Sequence, residues 1–237
     1  MSNIARLCPA LVTPNFHKTN EVMMKYFYDP RSGSCRRTST VLKHLGLEAE
    51  WIFLDLLKQD HKAPDYVALN PNAQLPILQD GDVVLWEASA IAIYLCEKAG
   101  DTTLWPQGAE RDQVTKWMFW AAEHFRQPAP AYFEENFVAK LMGASPDAAR
   151  LSYAKATLDR YGPILDAHLA HSDFVVGAGP TLADLDLAAP LSQMPRSKVP
   201  YDAYPNIMAW SERLADAVPA WAETGKELND QLDSLVA

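Results

Sequence analysis

The sequence is poor in cysteine and glycine and short of positive charge, and each shortage narrows what the chain can be. Three cysteines, Cys8, Cys35 and Cys96, are too few and too widely spaced for a disulfide framework. They also offer no CxxC pair and no zinc-ligand spacing. A reducing, cytoplasmic setting suits such a set. With 21 Lys and Arg against 30 Asp and Glu, the net charge is −9. That balance argues against nucleic acid as a partner, because phosphate binding wants a basic face. No apolar run approaches the roughly 20 residues of a bilayer span, so no membrane partner is expected. The 6 histidines are scattered, and no acid or cysteine pattern accompanies His168 and His171, so no metal site is expected.

What is present is ordinary for a folded soluble protein. The 237 residues suffice for one large or two small domains, and 49% apolar with 22% charged residues is unremarkable. Residues 1–23 contain one Arg, two prolines and a short apolar patch, too weak a pattern for a signal peptide. They read as a flexible leader.

From Met24 the pattern becomes regular. Met24 to Tyr28 (MKYFY) reads as a first strand. Turn chemistry follows at Asp29-Pro30-Arg31-Ser32-Gly33. A helix is predicted from Ser34, with Ser34 as its cap, Thr38, Val41, Leu42 and Leu45 on one face, and Gly46 as its stop. Arg36 and Arg37 on that helix are expected to face solvent. Glu50 to Leu56 reads as a second strand, which makes a right-handed βαβ unit. His61 to Leu69 reads as a short helix or loop.

The stretch 70–97, NPNAQLPILQDGDVVLWEASAIAIYLCE, carries the most information. Two apolar runs, Ile77-Leu78 and Val83-Val84-Leu85, flank an Asp-Gly turn and predict a hairpin. Leu75-Pro76 leads into it, and an Xaa-Pro bond is the place where a cis peptide costs least. Glu87 opens a helix through Ile91, Tyr94 and Leu95. Such a unit offers exposed backbone at Leu75 and unpaired amides at the helix start, to which an extended peptide can pair.

Residues 100–108 punctuate the chain as a linker, and beyond them no strand is convincing. Arg111 to Phe125 is helical in pattern, with a kink or end expected at Gln127 to Pro130. Ser145-Pro146-Asp147 reads as a helix start with proline in the first position, and Gly162-Pro163 as a bend. Phe174 to Gly177 reads as a short extended piece. Thr181-Leu182-Ala183-Asp184 has the spacing of a reciprocal N-cap, so Asp184 is read as structural. YPNIMAW, residues 204–210, reads as core packing.

The ordered set NPxxxLP, DG and WEAS-AI-YL, together with GPTLADLDLAAPL and YPNIMAW, strongly resembles the soluble glutathione transferases over nearly the whole chain. The resemblance implies an α/β thioredoxin-like domain over 24–100, a linker over 101–108 and an all-helical domain over 109–237. It also implies a cytoplasmic homodimer that uses glutathione as co-substrate and no metal. The string Ser32-Gly33-Ser34-Cys35-Arg36 is similar to the serine-type classes (theta, delta, zeta) of bacterial kind. On that register Ser32 donates its hydroxyl to the glutathione thiolate, the competent nucleophile. A thiol near pKa 8.5 lowered by about two units gains roughly 2.7 kcal/mol, which one charge-assisted hydrogen bond and a helix end can supply. Ser34 is an alternative donor. Cys35 could instead be the nucleophile of a thiol transferase or reductase, forming a mixed disulfide.

The resemblance further implies that Leu75, beside a cis Pro76, pairs its backbone with the cysteinyl unit. Glu87 meets the γ-glutamyl ammonium, Gln74 contacts the peptide, and His61 and Lys62 take the glycine carboxylate. The usual acid-serine pair is here Glu87-Ala88, with Ser89 one place late. The backbone amide of Ala88 remains available to a carboxylate. An electrophile pocket between the domains is expected from Trp117, Trp120 and His124, with Phe125 nearby. The implied reaction conjugates glutathione to a small, apolar or aromatic electrophile, with peroxidase or isomerase side activity. A non-catalytic binding or regulatory protein of the same fold is the rival from a different class.

Overall fold

A computed structural model describes residues 23–236, so the expected leader lies outside the described residues except for Met23. The chain begins with β1 (Met24–Tyr28), α1 (Gly33–His44) and β2 (Ala49–Phe53). It continues through α2 (Pro64–Leu69), β3 (Ile77–Asp80), β4 (Val83–Trp86) and α3 (Ala88–Ala99). The four strands form one mixed sheet in the order β2-β1-β3-β4. β1 and β2 are parallel, as a βαβ crossover requires, while β3 runs antiparallel to both β1 and β4.

Alternation along β1 decides how this sheet is covered. Met24 and Tyr26 are buried, and Lys25 between them is exposed. The Tyr26 hydroxyl donates to the Cys35 carbonyl at 2.9 Å and lies 2.9 Å from Thr38 Oγ1, which fixes α1 on that face. On the opposite face the Phe27 and Tyr66 rings meet edge-on at 6.0 Å and seat α2. The hairpin tip is tied to α3, since Asp80 accepts from Tyr94 and pairs with Lys98, each at 2.7 Å. The sheet with its flanking helices is thioredoxin-like, and everything after it is helical.

The helical half starts with α4 (Ala109–Trp120), which runs into a π-turn at Ala121–Phe125 and α5 (Pro128–Phe133). A second π-turn, Glu134–Val138, leads to α6 (Ala139–Leu141). Thus the prolines of residues 127–130 bend the path without ending it: Pro128 sits in the first turn of α5, where no donor is missed. α7 (Ala148–Leu169) begins two residues later than its sequence suggests. Asp147 is its N-cap, accepting from Ala149 N at 2.8 Å and Arg150 N at 3.2 Å, and Pro146 lies before it. Pro163 does not break α7, because tertiary packing holds the helix through it. A Cβ at Gly162 would fall 2.5 Å from the Tyr204 ring, so that ring rests directly on the backbone. Residues 174–177 form bends, not the extended piece expected.

The remaining helices are α8 (Leu182–Ala188), α9 (Met194–Ser197), α10 (Pro205–Ala217) and α11 (Pro219–Asp233). Asp184 is fully buried and closes the expected reciprocal cap with Thr181. It also accepts from Val175 N at 2.9 Å and Trp210 Nε1 at 2.8 Å, which ties α8 to α10. α11 then returns to cover α1. Arg36 lies 3.5 Å from the Trp221 ring centre and donates to the Trp221 carbonyl and to Ser192, both at 2.7 Å. The expectation that Arg36 and Arg37 face solvent is therefore wrong; both are buried, and their long-range partners lie 52 to 185 positions away.

Candidate active site at the sheet–helix junction

Between β1 and α1 the chain must turn sharply, and Asp29 supplies the anchor. Its buried carboxylate accepts from Arg31 N and Nε at 2.9 Å each, from Arg31 Nη2 at 2.6 Å and from Leu56 N at 3.1 Å. Arg31 also reaches Asp55 at 2.5 Å. Its hydrogen bond holds the Asp55 carboxyl below the usual range. From the helical half, Gln193 Nε2 donates to the Arg31 carbonyl at 2.8 Å. The loop that presents Ser32 is therefore gripped from both sides.

Ser32, not Ser34, is the N-cap of α1; its Oγ accepts from Cys35 N at 3.3 Å. Ser34 follows within the first turn, 3.5 Å from Arg37 Nη2. The reason is the extended backbone at Ser32 (φ −85°, ψ 122°), which sends its side chain back over the helix start. A capping hydroxyl spends a lone pair and keeps its proton. Ser32 is half-buried, so that proton can be offered to a ligand beside α1.

Cys35 is placed differently. It is fully buried in a cluster with Tyr66, Leu75 and Ile77, and burial pushes its thiol up to about 12. A thiol so placed is neither accessible nor ionised near neutral pH, which removes the nucleophilic role considered for it. The same cluster brings Leu75 close to the start of α1.

The Leu75-Pro76 bond is cis. Leu75 stays outside the sheet ladder, whose β3 pairings begin at Ile77. Gln74 is exposed, and its carbonyl is fixed by Tyr66 Oη at 2.6 Å and Asn70 Nδ2 at 2.8 Å. The pairing of Ile77 with Trp86 sets Glu87 opposite Pro76. Glu87 caps α3 with φ 73°, a backbone state that a non-glycine residue adopts only when its surroundings impose it. Its side chain is exposed, whereas Ala88 is buried. On the neighbouring η-turn, Asp60–Lys62, His61 has a shielded Nδ1 with no partner, and burial lowers its pKa. Lys62 is exposed and donates to Gln59 at 3.2 Å.

Ser89 does not provide a free hydroxyl. It donates to Asp186 Oδ2 at 2.7 Å and accepts from Arg37 Nη1 at 3.0 Å. Arg37 also pairs directly with Asp186. Arg126, just past the first π-turn, stands 3.8 Å from Asp186 Oδ2. None of these long-range partners of Ser89 carries a local sequence signal, and neither does Gln193.

The rings of Trp117, Trp120 and His124 pack against α7. Trp117 packs against His168 at 4.7 Å, and His124 stacks on Tyr161 at 4.6 Å, both on α7. Trp120 meets Tyr161 edge-on at 6.1 Å, and Phe125 is wholly buried. From the helical half, the Ala189 carbonyl would lie 3.5 Å from a Cβ at Gly33, and Gln193 reaches the Arg31 carbonyl, so residues 189–193 come close to the loop of Ser32. Two surface hollows, about 410 and 450 Å³, are lined by Tyr28, Lys43 and Trp51 and by His171, Asn206 and Arg213 respectively. Neither is lined by Ser32 or Leu75. Among the described residues no cluster of His, Cys, Asp and Glu has the makings of a metal site, and no helix is long and apolar enough to cross a membrane.

Comparison with known proteins agrees with this layout. Residues 23–97 match the "Glutathione S-transferase, N-terminal domain" and residues 129–217 the "Glutathione S-transferase, C-terminal domain". Glutathione S-transferase 3 of Zea mays is 35% identical over 206 residues, covering 85% of this chain and 92% of its own length. Among solved structures, glutathione transferase F7 from Populus trichocarpa superposes with TM-score 0.78 at 26% identity, covering 87% of this chain and 99% of the other. A delta-class glutathione transferase of Nilaparvata lugens does so with TM-score 0.74 at 27% identity, covering 90% and 99%. Fold and relatedness over most of the length agree: this chain belongs to the glutathione S-transferase family.

Proposed function

We propose that the protein is a serine-type transferase that adds the glutathione thiolate to the electrophilic carbon of a small apolar or aromatic substrate. The observation that carries this reading is Ser32. Its lone pair caps α1 while its proton stays free, at a helix end whose dipole favours an anion. A sulfur placed there would receive the Ser32 hydrogen bond and feel the positive end of α1, the two influences needed to keep it ionised near neutral pH. The thiol releases its proton to solvent as it ionises, and the thiolate then forms the C–S bond while the bond from that carbon to its leaving group breaks, the leaving group departing with the electron pair, as a halide does from an aryl halide.

In this reading the tripeptide lies along Leu75, with Gln74 and the cis Pro76 beside it. Glu87 meets its ammonium, the amides of Ala88 and Ser89 face the γ-glutamyl carboxylate, and His61 and Lys62 take the glycine end. The electrophile enters between the two halves of the chain, with Trp117, Trp120 and His124 as the candidate lining of its pocket. We further propose a cytoplasmic homodimer built from units at 24–100 and 109–237, of the theta, delta or zeta kind found in bacteria. Peroxidase or isomerase side activity would use the same thiolate.

Retention on immobilised glutathione, combined with turnover of a generic aryl halide, is the expected result. Retention without turnover at any pH would make the protein a binding or regulatory member of the fold. Failure to bind glutathione would overturn the reading altogether.

A further inference from the structure

The junction between α3 and the helical half holds two arginines and one aspartate. Asp186 is fully committed: one oxygen pairs with Arg37, and the other accepts from Ser89. Arg37 donates to both. Arg126 is left over. Its Nη1 is 3.8 Å from Asp186 Oδ2, beyond hydrogen-bond reach, and has no acceptor although that nitrogen is shielded from solvent. Burial brings the guanidinium down to about 10, Arg37 adds repulsion, and Asp186 and Glu87 oppose it. Glu87 is thus near enough to act on Arg126, yet no ion pair joins the two, and the Glu87 side chain is exposed.

A cation and an anion held close without pairing suit a zwitterion. The α-amino-acid end of a γ-glutamyl group presents an ammonium and a carboxylate on one carbon, and each needs a partner of opposite charge. Glu87 can serve the ammonium. At the next position the buried Ala88 has no hydroxyl to give the carboxylate, and the Ser89 hydroxyl is already spent on Asp186.

We propose that Arg126, reaching across from the helical half, binds the γ-glutamyl carboxylate and so does the work of the hydroxyl that Ala88 lacks. This rests on the reading that glutathione lies along Leu75. Its consequence is that glutathione is held by both halves of the chain. The free Nη1 gains its acceptor only when the ligand is bound, while Asp186, 3.8 Å away, keeps the guanidinium nearby.

The test compares glutathione with 4-aminobutyryl-cysteinyl-glycine, which keeps the ammonium and lacks the carboxylate, by calorimetric titration of the full chain. The unaltered protein should prefer glutathione by about tenfold or more. In Arg126→Gln that preference should collapse to within about twofold, KM for glutathione should rise, and kcat should hold, as for loss of uniform binding. Arg126→Lys should restore part of the preference. If the unaltered protein binds both peptides equally, or if Arg126→Gln keeps the full preference, the inference is wrong even though the protein binds glutathione. If neither peptide binds at all, the proposed function fails and takes the inference with it. If Arg126→Gln does not fold, Arg126→Lys carries the test instead: a preference for glutathione below that of the unaltered protein supports the inference, and one equal to it overturns it.

Discussion

Replacing Ser32 with alanine should do two separable things, because one oxygen serves the protein and its hydrogen serves the ligand. The cap is long, 3.3 Å, so its loss should cost about 0.5–1 kcal/mol, at the low end for N-caps. For a chain of this size that lowers Tm by only about 1–4 °C. The proton lost is a charge-assisted donor worth about 1.5–3 kcal/mol, or roughly one to two pKa units on the bound thiol. A thiol returned to about 8.5 is only ~3% ionised at pH 7, against ~75% if its pKa is held near 6.5. The kcat/KM for a generic aryl halide should therefore fall about 10–30-fold at pH 7 and recover to within a few-fold near pH 10. Ser32→Asp should keep the cap and the Tm but set a carboxylate beside the sulfur, raising the thiol pKa still further. A pH–rate profile whose acid limb does not move in Ser32→Ala would refute the assignment. So would an equal loss at every pH, which would show positioning without ionisation.

Three further outcomes follow from features away from the sulfur. Asp184→Ala strands the Val175 amide and the Trp210 indole along with the cap; thermal unfolding should show a loss of about 3 kcal/mol or more, or about 6–12 °C in Tm. The Asp55 carboxyl is depressed by its hydrogen bond from Arg31. Its contribution is thus present above the unfolded value near 3.9 and lost as pH falls through the lower folded value. Asp55→Asn should accordingly flatten the acid side of a stability–pH curve, and an unchanged slope there would count against the Arg31 clamp. Burial pushes both Cys35 and Cys96 up to about 12. Neither should take up a maleimide in the native protein, as mass spectrometry of labelled peptides would show, and both should do so in denaturant.

What could be read from the sequence divides along chain distance. The hairpin, the cis-prolyl position, the first βαβ unit and the Thr181–Asp184 cap are written within a few neighbouring residues, where turn chemistry and periodicity act. The cap of α1 fell on Ser32 instead of Ser34 because two serines with equal propensity compete there, and the fold chooses by backbone angle. Solvent was the default for Arg36 and Arg37, and it failed because Trp221, Ser192 and Asp186 lie 149 to 185 positions away. Trp117, Trp120 and His124 have helical spacing, but spacing does not say which neighbouring helix a face will meet; α7 took their rings. Arg126 and Gln193 were invisible for the same reason, each acting on a loop or helix end from the other half of the chain.

The clasp of α11 on α1 sets an order on biosynthesis. Arg36 leaves the ribosome 185 residues ahead of Trp221, whose indole roofs it and whose carbonyl receives it. Until that final segment emerges, a guanidinium meant for the interior faces water, and the first helix has one side bare. A nascent chain halted before residue 219 would thus carry a complete sheet and an unfinished reactive loop. In effect, α11 is the seal on a fold that residues 24–99 begin.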